Sequence, residues 1–340
     1  LDPIKEVRNA LIPHLKKLED ERVAVISDID VDGLASAAIL GHVLNNVGVD
    51  FVLYFSPPAN FEEVVSGIAP ECDVLIAADL GSTGETAIHD AKSEGCRVIV
   101  VDHHQVLEDV RPDVFIHDTR LCAAELCYWA TVDLHERDLR LIAAYAAFTD
   151  YAEEYSRVLR EVLKMYDRRK VYTEASLLDY ALIRMDGEYR QELALKLPET
   201  SVSELDEVYE LARDAMAEEH EVLRRAREVA ECLNEVVAYA IMDDVHPAMT
   251  GRVASHVAGV KRRPVGVCVR RGKISARVVE GEEIDVARAI RKAATEVGGK
   301  GGGHAPAAGG VVPESKVEEF LRLFGEEVKR QVESVRTRKS

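Results

Sequence analysis

The chain has 340 residues, 47% apolar and 31% charged, a globular composition long enough for two domains with their own cores. A net charge of −18 argues against broad, non-specific coating of nucleic acid, which needs a basic surface. No apolar run approaches the ~20 residues that span a bilayer.

The opening L-D-P-I-K-E-V-R has no basic segment followed by an apolar one, so a cytoplasmic protein without a leader is expected. The cysteines (Cys72, Cys96, Cys122, Cys127, Cys232 and Cys268) are scattered, with no C-x-x-C spacing of a zinc site. They are expected to be reduced core residues.

In chain order, R-V-A-V-I-S (22–27) predicts a strand and 33–47 a helix. Strands follow at 50–55, 73–79, 97–102 and 113–117, with a helix near 84–94. Continuous Val/Ile runs separated by helices mean a parallel sheet covered on both faces, with ligand sites at the carboxyl ends of its strands. The helix expected after the fifth strand, 139–150, ends in Thr149-Asp150. From there to about residue 240 the pattern is helical and charged, and 204–236 carry a long Glu/Arg-rich helical pattern. That middle reads as a connector, or as an arm on which a partner docks.

From Val237 the pattern changes again. V-A-Y-A-I-M-D predicts a strand, P-V-G-V-C-V-R-R-G-K-I-S-A-R-V a hairpin, and I-D-V-A-R-A-I-R-K-A-A-T-E-V an amphipathic helix. A glycine loop follows over 298–310. The expected fold class is therefore α/β: a parallel-sheet domain over 1–155, a helical connector over 156–236 and a smaller α/β domain over 237–334.

Three strand ends carry chemistry. The first runs into S-D-I-D-V-D-G with Asp28, Asp30 and Asp32, the third into A-A-D-L-G-S-T-G with Asp79, and the fourth into Asp102-His103-His104; Asp150 ends the helix beyond the fifth. Carboxylates crowded in one cleft repel and raise each other's pKa values. Divalent cations relieve that repulsion, and oxygen ligands with imidazole suit Mn²⁺, with Mg²⁺ or Co²⁺ as alternatives. Two ions ~3.5–4 Å apart, sharing a carboxylate, would clamp an in-line displacement at phosphorus. Spacing leaves open whether Asp30 or Asp32 is a ligand.

A second candidate lies in the C-terminal domain. Residues 246–304 hold 12 Lys/Arg against 5 Asp/Glu, a basic island on an acidic chain. Lys300, Gly301, Gly302, Gly303 and His304 offer backbone N–H groups and side-chain donors to an anion. Ser275 and Arg277 occupy alternate positions on one face of the strand before, and arginine's fork matches phosphate oxygens.

V-V-D-H-H-Q, with S-D-I-D-V-D-G before it and G-G-G-H-A-P-A-A-G after it, resembles the DHH phosphoesterase superfamily, in the RecJ-type branch that carries a DHH-associated domain. The likeness is to the compact archaeal RecJ-like proteins, with no room expected for the extra OB-fold of bacterial RecJ. The resemblance implies a two-metal, usually Mn²⁺-dependent, site in a cleft between a DHH domain and a DHH-associated domain. It implies Asp28, Asp30, Asp79 (bridging), His103 and Asp150 as ligands, with Asp32 able to replace Asp30. Asp102 would orient a histidine and His104 would face the scissile phosphate. Arg277, Gly302, Gly303 and His304 would hold a neighbouring phosphate or the substrate's terminus.

The leading expectation is a phosphodiesterase that degrades single-stranded DNA or RNA to 5′-mononucleotides. Aromatic residues at 6% and a single Trp129 placed in a core helix give few stacking platforms for long strands. That keeps a second reading, a phosphodiesterase for short oligonucleotides or cyclic or linear dinucleotides. A third, from another class, is a catalytically silent scaffold in replication or repair, whose protein partners would meet the helical middle.

Overall fold

A computed structural model describes residues 3–82, 84–106 and 109–339. The chain divides into two compact units, Leu1–Ala215 and Met216–Ser340.

In the first unit, five strands among the described residues form a parallel sheet: β1 (Val23–Ser27), β2 (Phe51–Phe55), β3 (Val74–Ala78), β4 (Arg97–Asp102) and β5 (Val114–His117). Their order is β2-β1-β3-β4-β5, so the three strands that end in acid or imidazole are neighbours. Side chains alternate across a strand, and here they divide between two cores. Val23, Val25, Val74, Ile76, Ile99 and Val101 face one core, shared with the Val31–Asn46, Ala123–Thr131 and Arg140–Thr149 helices. Ala24, Ile26, Leu75, Ala77, Val98 and Val100 face the other, with Phe61, Val65, Ile88 and Ala91. Burial on both faces is why these strands read as unbroken apolar runs. At ~1.5–3 kcal/mol per buried Val, Leu or Ile side chain, the inner strands anchor the edge that carries the polar residues.

Two helices follow β5, the first being the core helix expected around Trp129. The Ala123–Thr131 helix holds the buried Trp129, and the Arg140–Thr149 helix comes after a turn at Val132–Leu134. The polar run D-L-H-E-R-D breaks the apolar pattern between them. The helical middle packs on the same core: Val158, Leu159, Val171, Leu178, Leu193, Val208 and Ala212 are all part of it. The Asp206–Val229 helix runs on into the second unit.

The second unit holds a mixed sheet of order β10-β11-β9-β8-β7-β6, from β6 (Glu231–Cys232), β7 (Val237–Ile241), β8 (Val265–Arg270), β9 (Lys273–Val278), β10 (Lys300–Gly303) and β11 (Ala307–Val311). Only the β7–β8 pair is parallel. The glycine stretch expected as a loop is an antiparallel hairpin, β10–β11, docked on β9. Glycine has poor strand propensity, so its pairing comes from tertiary contact. Cys232, expected in a core, is exposed on the edge strand β6. No helix among the described residues is long and apolar enough to cross a membrane.

Candidate functional site

The carboxyl ends of β1, β3 and β4 bring the sequence-predicted acids and imidazoles of the first unit together. The chain leaves β1 through Asp28 and turns at once into the Val31–Asn46 helix, whose N-cap is Asp30, accepting the Gly33 amide at 3.0 Å. The turn is tight. A Cβ on Gly33 would lie 2.2 Å from the Asp28 carbonyl oxygen, so only glycine fits there. The buried Ser27 hydroxyl ties this turn to β3, its single hydrogen facing Gly33 O at 2.7 Å and Ala78 O at 3.1 Å.

Asp32 is buried on the first helical turn. Its two oxygens accept the Ala123 and Ala124 amides, each at 2.7 Å, capping the N-terminus of the Ala123–Thr131 helix. Its Oδ2 still lies 3.6 Å from His103 Nε2. Asp79 follows β3 with a left-handed φ of 58°, a conformation aspartate tolerates better than most residues. Its amide donates to Val101 O at 2.9 Å. Its buried Oδ1 meets no hydrogen-bond donor among the described residues, and lies 3.3 Å from His103 Nε2 and 3.7 Å from His104 Nδ1. Asp150, at the C-terminal end of the Arg140–Thr149 helix, brings Oδ2 to 3.4 Å from His103 Nε2.

Asp102 is different in kind. It accepts the amides of Ser82 at 2.7 Å, His103 at 2.7 Å and His104 at 3.1 Å, and the His104 ring at 2.8 Å through Nδ1. Burial alone would raise its pKa, but the hydrogen bond and charge of His104 hold it well below the carboxylate range. Burial likewise works against a charged His104, yet Asp102 raises its pKa to about 9. The remaining acids go the other way. Burial first, then neighbouring carboxylates, push Asp28, Asp79 and Asp150 well above their ordinary range and Asp32 to about 7.

Two groups of ligand atoms come together around Asp79 and His103: Asp28, Asp30 and Asp79 in one, Asp32, His103 and Asp150 in the other, while Asp79 also stands with Asp102, His103 and His104. Asp79 is thus shared between the Asp28–Asp30 group and the Asp102–His103–His104 set, and His103 links that set to Asp32 and Asp150. The donor set, carboxylate and imidazole with no thiolate, fits a hard or borderline divalent cation. The buried Oδ1 that accepts no hydrogen bond and the raised acids fit it too, since a cation favours the charged forms that burial disfavours. A cavity of about 230 Å³ lined by Phe61, Glu62, Gly81, Gly84, Asp102 and His104 adjoins Asp79.

One functional neighbour was not foreseen. Arg190, in the Gly187–Lys196 helix, is buried and donates to Leu182 O at 3.1 Å and Met185 O at 3.2 Å, with its guanidinium 5.8 Å from the Phe55 ring centroid. Burial lowers its pKa, while Asp28, Asp186 and Asp30 hold it up. A buried cation thus faces the acidic edge from the helical middle.

In the second unit, the β9–β11 register sets Arg277 beside Ala307 and Ser275 beside Gly309, which in turn pairs with Gly302. Ser275, Arg277, Gly302, Gly303 and His304 therefore share one end of the hairpin. The Ser275 hydroxyl lies 2.8 Å from that of Thr250, and a Cβ on Gly251 would lie 2.4 Å from an Arg277 guanidinium nitrogen. His304 and Ala307 close the turn with reciprocal backbone bonds of 2.9 and 3.1 Å. Gly301 is packed so closely that a Cβ would lie 2.4 Å from Ile290 Cγ2. Gly302 has open space above it, and Lys300 is exposed at the hairpin's far end, opposite Val311.

Residues 22–160 match the DHH family, N-terminal domain, and residues 234–330 match the DHHA1 domain. The single-stranded-DNA-specific exonuclease RecJ of Thermus thermophilus is 26% identical, over 96% of this chain and 56% of its own length. The chain thus spans about half of that relative. Among solved structures, an exonuclease RecJ bound to manganese superposes with a TM-score of 0.69 at 20% identity, covering 97% of this chain and 95% of that one. A pGpG-specific phosphodiesterase from Vibrio superposes with a TM-score of 0.54 at 14% identity, over 90% and 99% of the two chains. With both domains matched in order around the acidic edge and the glycine hairpin, the chain belongs to the DHH superfamily as a RecJ-like protein.

Proposed function

We propose that this protein is a phosphodiesterase that uses two divalent cations, Mn²⁺ first among them, to degrade single-stranded DNA or RNA from an end to 5′-mononucleotides. The observation that carries the reading is the buried Oδ1 of Asp79, which accepts no hydrogen bond among the described residues and belongs both to the Asp28–Asp30 group and to the Asp102–His103–His104 set. Asp28, Asp30 and Asp79 would hold one cation. Asp79, His103 and Asp150 would hold the other, with Asp32 beside them. Bound there, the ions would supply Lewis acidity to the phosphate oxygens and lower the pKa of a water molecule.

The chain's own residues do the rest. Asp102 keeps a proton on His104 Nδ1 and fixes the ring toward the phosphate. Ser275, Arg277 and the Gly301–His304 end of the hairpin, with Lys300 behind it, hold a further phosphate or the strand's terminus. Water displaces the 3′-oxygen at phosphorus, so the P–O3′ bond breaks and the phosphate stays on the 5′ side of the released nucleotide.

The acidic surface and sparse aromatics favour a second reading, in which the substrate is an oligonucleotide of a few residues or a dinucleotide. One experiment separates them. A 5′-labelled single strand of about 20 nucleotides, longer than the about 4–16 that one OB-type site spans, is compared with a dinucleotide in Mn²⁺. Faster turnover of the long strand, lost in Asp79→Ala, supports the exonuclease. Turnover of the dinucleotide alone moves the substrate to the smaller class. No turnover of either overturns the enzyme and leaves a scaffold, whose replication or repair partners would dock on the helical middle.

A further inference from the structure

Cys72 and Cys96 lie just before β3 and β4, neighbouring parallel strands, at the end of the sheet opposite the acidic edge. Both are buried, and their sulfur atoms are 2.7 Å apart. A covalent S–S bond is about 2.0 Å, so a small shift joins them. Val74 pairs with Arg97, which places Cys96 beside Asp73 and diagonally across from Cys72. Diagonal neighbours on adjacent strands fall within the about 4.4–6.8 Å Cα separation of a disulfide. Among the described residues no other two cysteine sulfurs are in contact.

We propose that Cys72 and Cys96 are an oxidisable pair that closes into an intrachain disulfide, clamping the starts of β3 and β4. A low-molecular-weight disulfide such as oxidised glutathione is the oxidant. Cys72 is the entry point, because it lines a surface cavity of about 490 Å³ with Arg22, Tyr54, Ile68 and Glu71. The Cys72 thiolate attacks the glutathione disulfide and releases one glutathione thiolate. The Cys96 thiolate then displaces the second glutathione from the mixed disulfide. Two protein thiols become one S–S bond, and one small disulfide becomes two thiols. Burial pushes the Cys72 thiol up to about 12 and the Cys96 thiol up as well, so the exchange is slow at neutral pH and faster in mild alkali.

The bond would close a loop containing β3, Asp79 and the Glu85–Ser93 helix. Its effect is on the stability of that unit, by restricting the unfolded chain. A strand of five residues is about 17 Å long, so the acidic edge stays as it is and turnover is unchanged. The inference is independent of the proposed function.

The test uses the full chain with Cys232→Ser, which removes the exposed thiol. The native protein is treated with oxidised glutathione at mildly alkaline pH, alkylated in denaturant, digested and mapped by mass. The expected result is a Cys72–Cys96 cross-linked peptide pair lighter by two hydrogens, with Cys122, Cys127 and Cys268 alkylated. Tm should rise by about 5 °C or more and return on reduction. Alkylation of both Cys72 and Cys96, a stable glutathione adduct on either, or pairing with another cysteine overturns the proposal. A Cys72–Cys96 bond without a rise in Tm overturns the clamp. Adding Cys96→Ala should abolish both the cross-link and the shift.

Discussion

The acidic edge of the first unit and the glycine hairpin of the second do opposite things with opposite materials. The edge presents charge from rigid strand ends, and burial, then the neighbouring carboxylates, raise the pKa values of its acids. The hairpin has almost no side chains. It offers backbone, with Gly301 against Ile290, Gly303 at a φ of 127° and Gly302 open. The lesson is that the edge should answer to charge and cations, whereas the hairpin should answer to volume.

The largest effect expected is at the shared carboxylate. Asp79→Asn keeps the shape and removes the charge shared by the Asp28–Asp30 group and the Asp102–His103–His104 set, so turnover in Mn²⁺ should fall about 1,000-fold or more, a loss of ~4 kcal/mol of transition-state stabilisation. The cation-free variant should also melt higher than its parent, because burial first, and then repulsion from Asp32, Asp30, Asp28 and Asp102, disfavours the charged form of Asp79. Calorimetry with and without Mn²⁺ checks this. A lower Tm in the cation-free variant would mean that Asp79 is a structural acid.

Gly301→Val tests the other side by volume. Its Cβ would meet Ile290 Cγ2 at 2.4 Å and Gly309 O at 2.9 Å. The overpacking should cost ~1–3 kcal/mol in denaturant unfolding, with the same Mn²⁺ affinity as the parent. A change in Mn²⁺ affinity would erase the distinction between the two regions.

Arg277→Lys is milder. It keeps the charge and removes the fork, so KM should rise about 10- to 100-fold with little change in kcat. An equal fall in kcat at constant KM would move Arg277 into the chemistry.

The two regions were also legible to different degrees. The edge could be read because apolar runs locate strands and because Asp28 and Asp79 stand directly after theirs and Asp102 closes its own. What spacing could not resolve was the division of labour among Asp28, Asp30 and Asp32. A turn and a helix start within five residues put Asp30 at a cap and bury Asp32 under another helix's N-terminus. The hairpin was read as a loop because glycine carries no periodic signal; β9 supplied the order. Arg190 escaped notice because it lies among charged helical residues, and its burial, beside Phe55 and the Leu182 and Met185 carbonyls, arises only in the folded chain. The likeness of both motifs to one superfamily placed the chain sooner than residue patterns alone would have.

The smallest effect is a slope. A carboxyl whose folded pKa is raised binds more protons in the folded state, so its contribution to stability falls as pH rises from the unfolded value toward the folded one. Asp28, Asp79 and Asp150 are raised well above the ordinary range and Asp32 to about 7. Acids depressed by partners, Asp73 and Glu174 at about 2, have contributed fully above about pH 5 and add no slope there. His104, raised to about 9, is flat below its unfolded value of about 6.5 and loses stability above it. His135, lowered to about 4 by burial, gains stability as pH rises from about 4 to about 6.5 and would hide the carboxylates' trend in the parent alone. The difference between parent and Asp79→Asn removes that background. Between about pH 5 and about pH 7, the cation-free variant's advantage should grow, by at most about 1.4 kcal/mol per pH unit for each proton. Mn²⁺ should abolish that growth in the parent by favouring the charged carboxylates, while Gly301→Val should leave the slope at the parental value. If the variant's advantage is constant with pH, repulsion among these acids does not govern the edge, and its difference from the hairpin is one of shape alone.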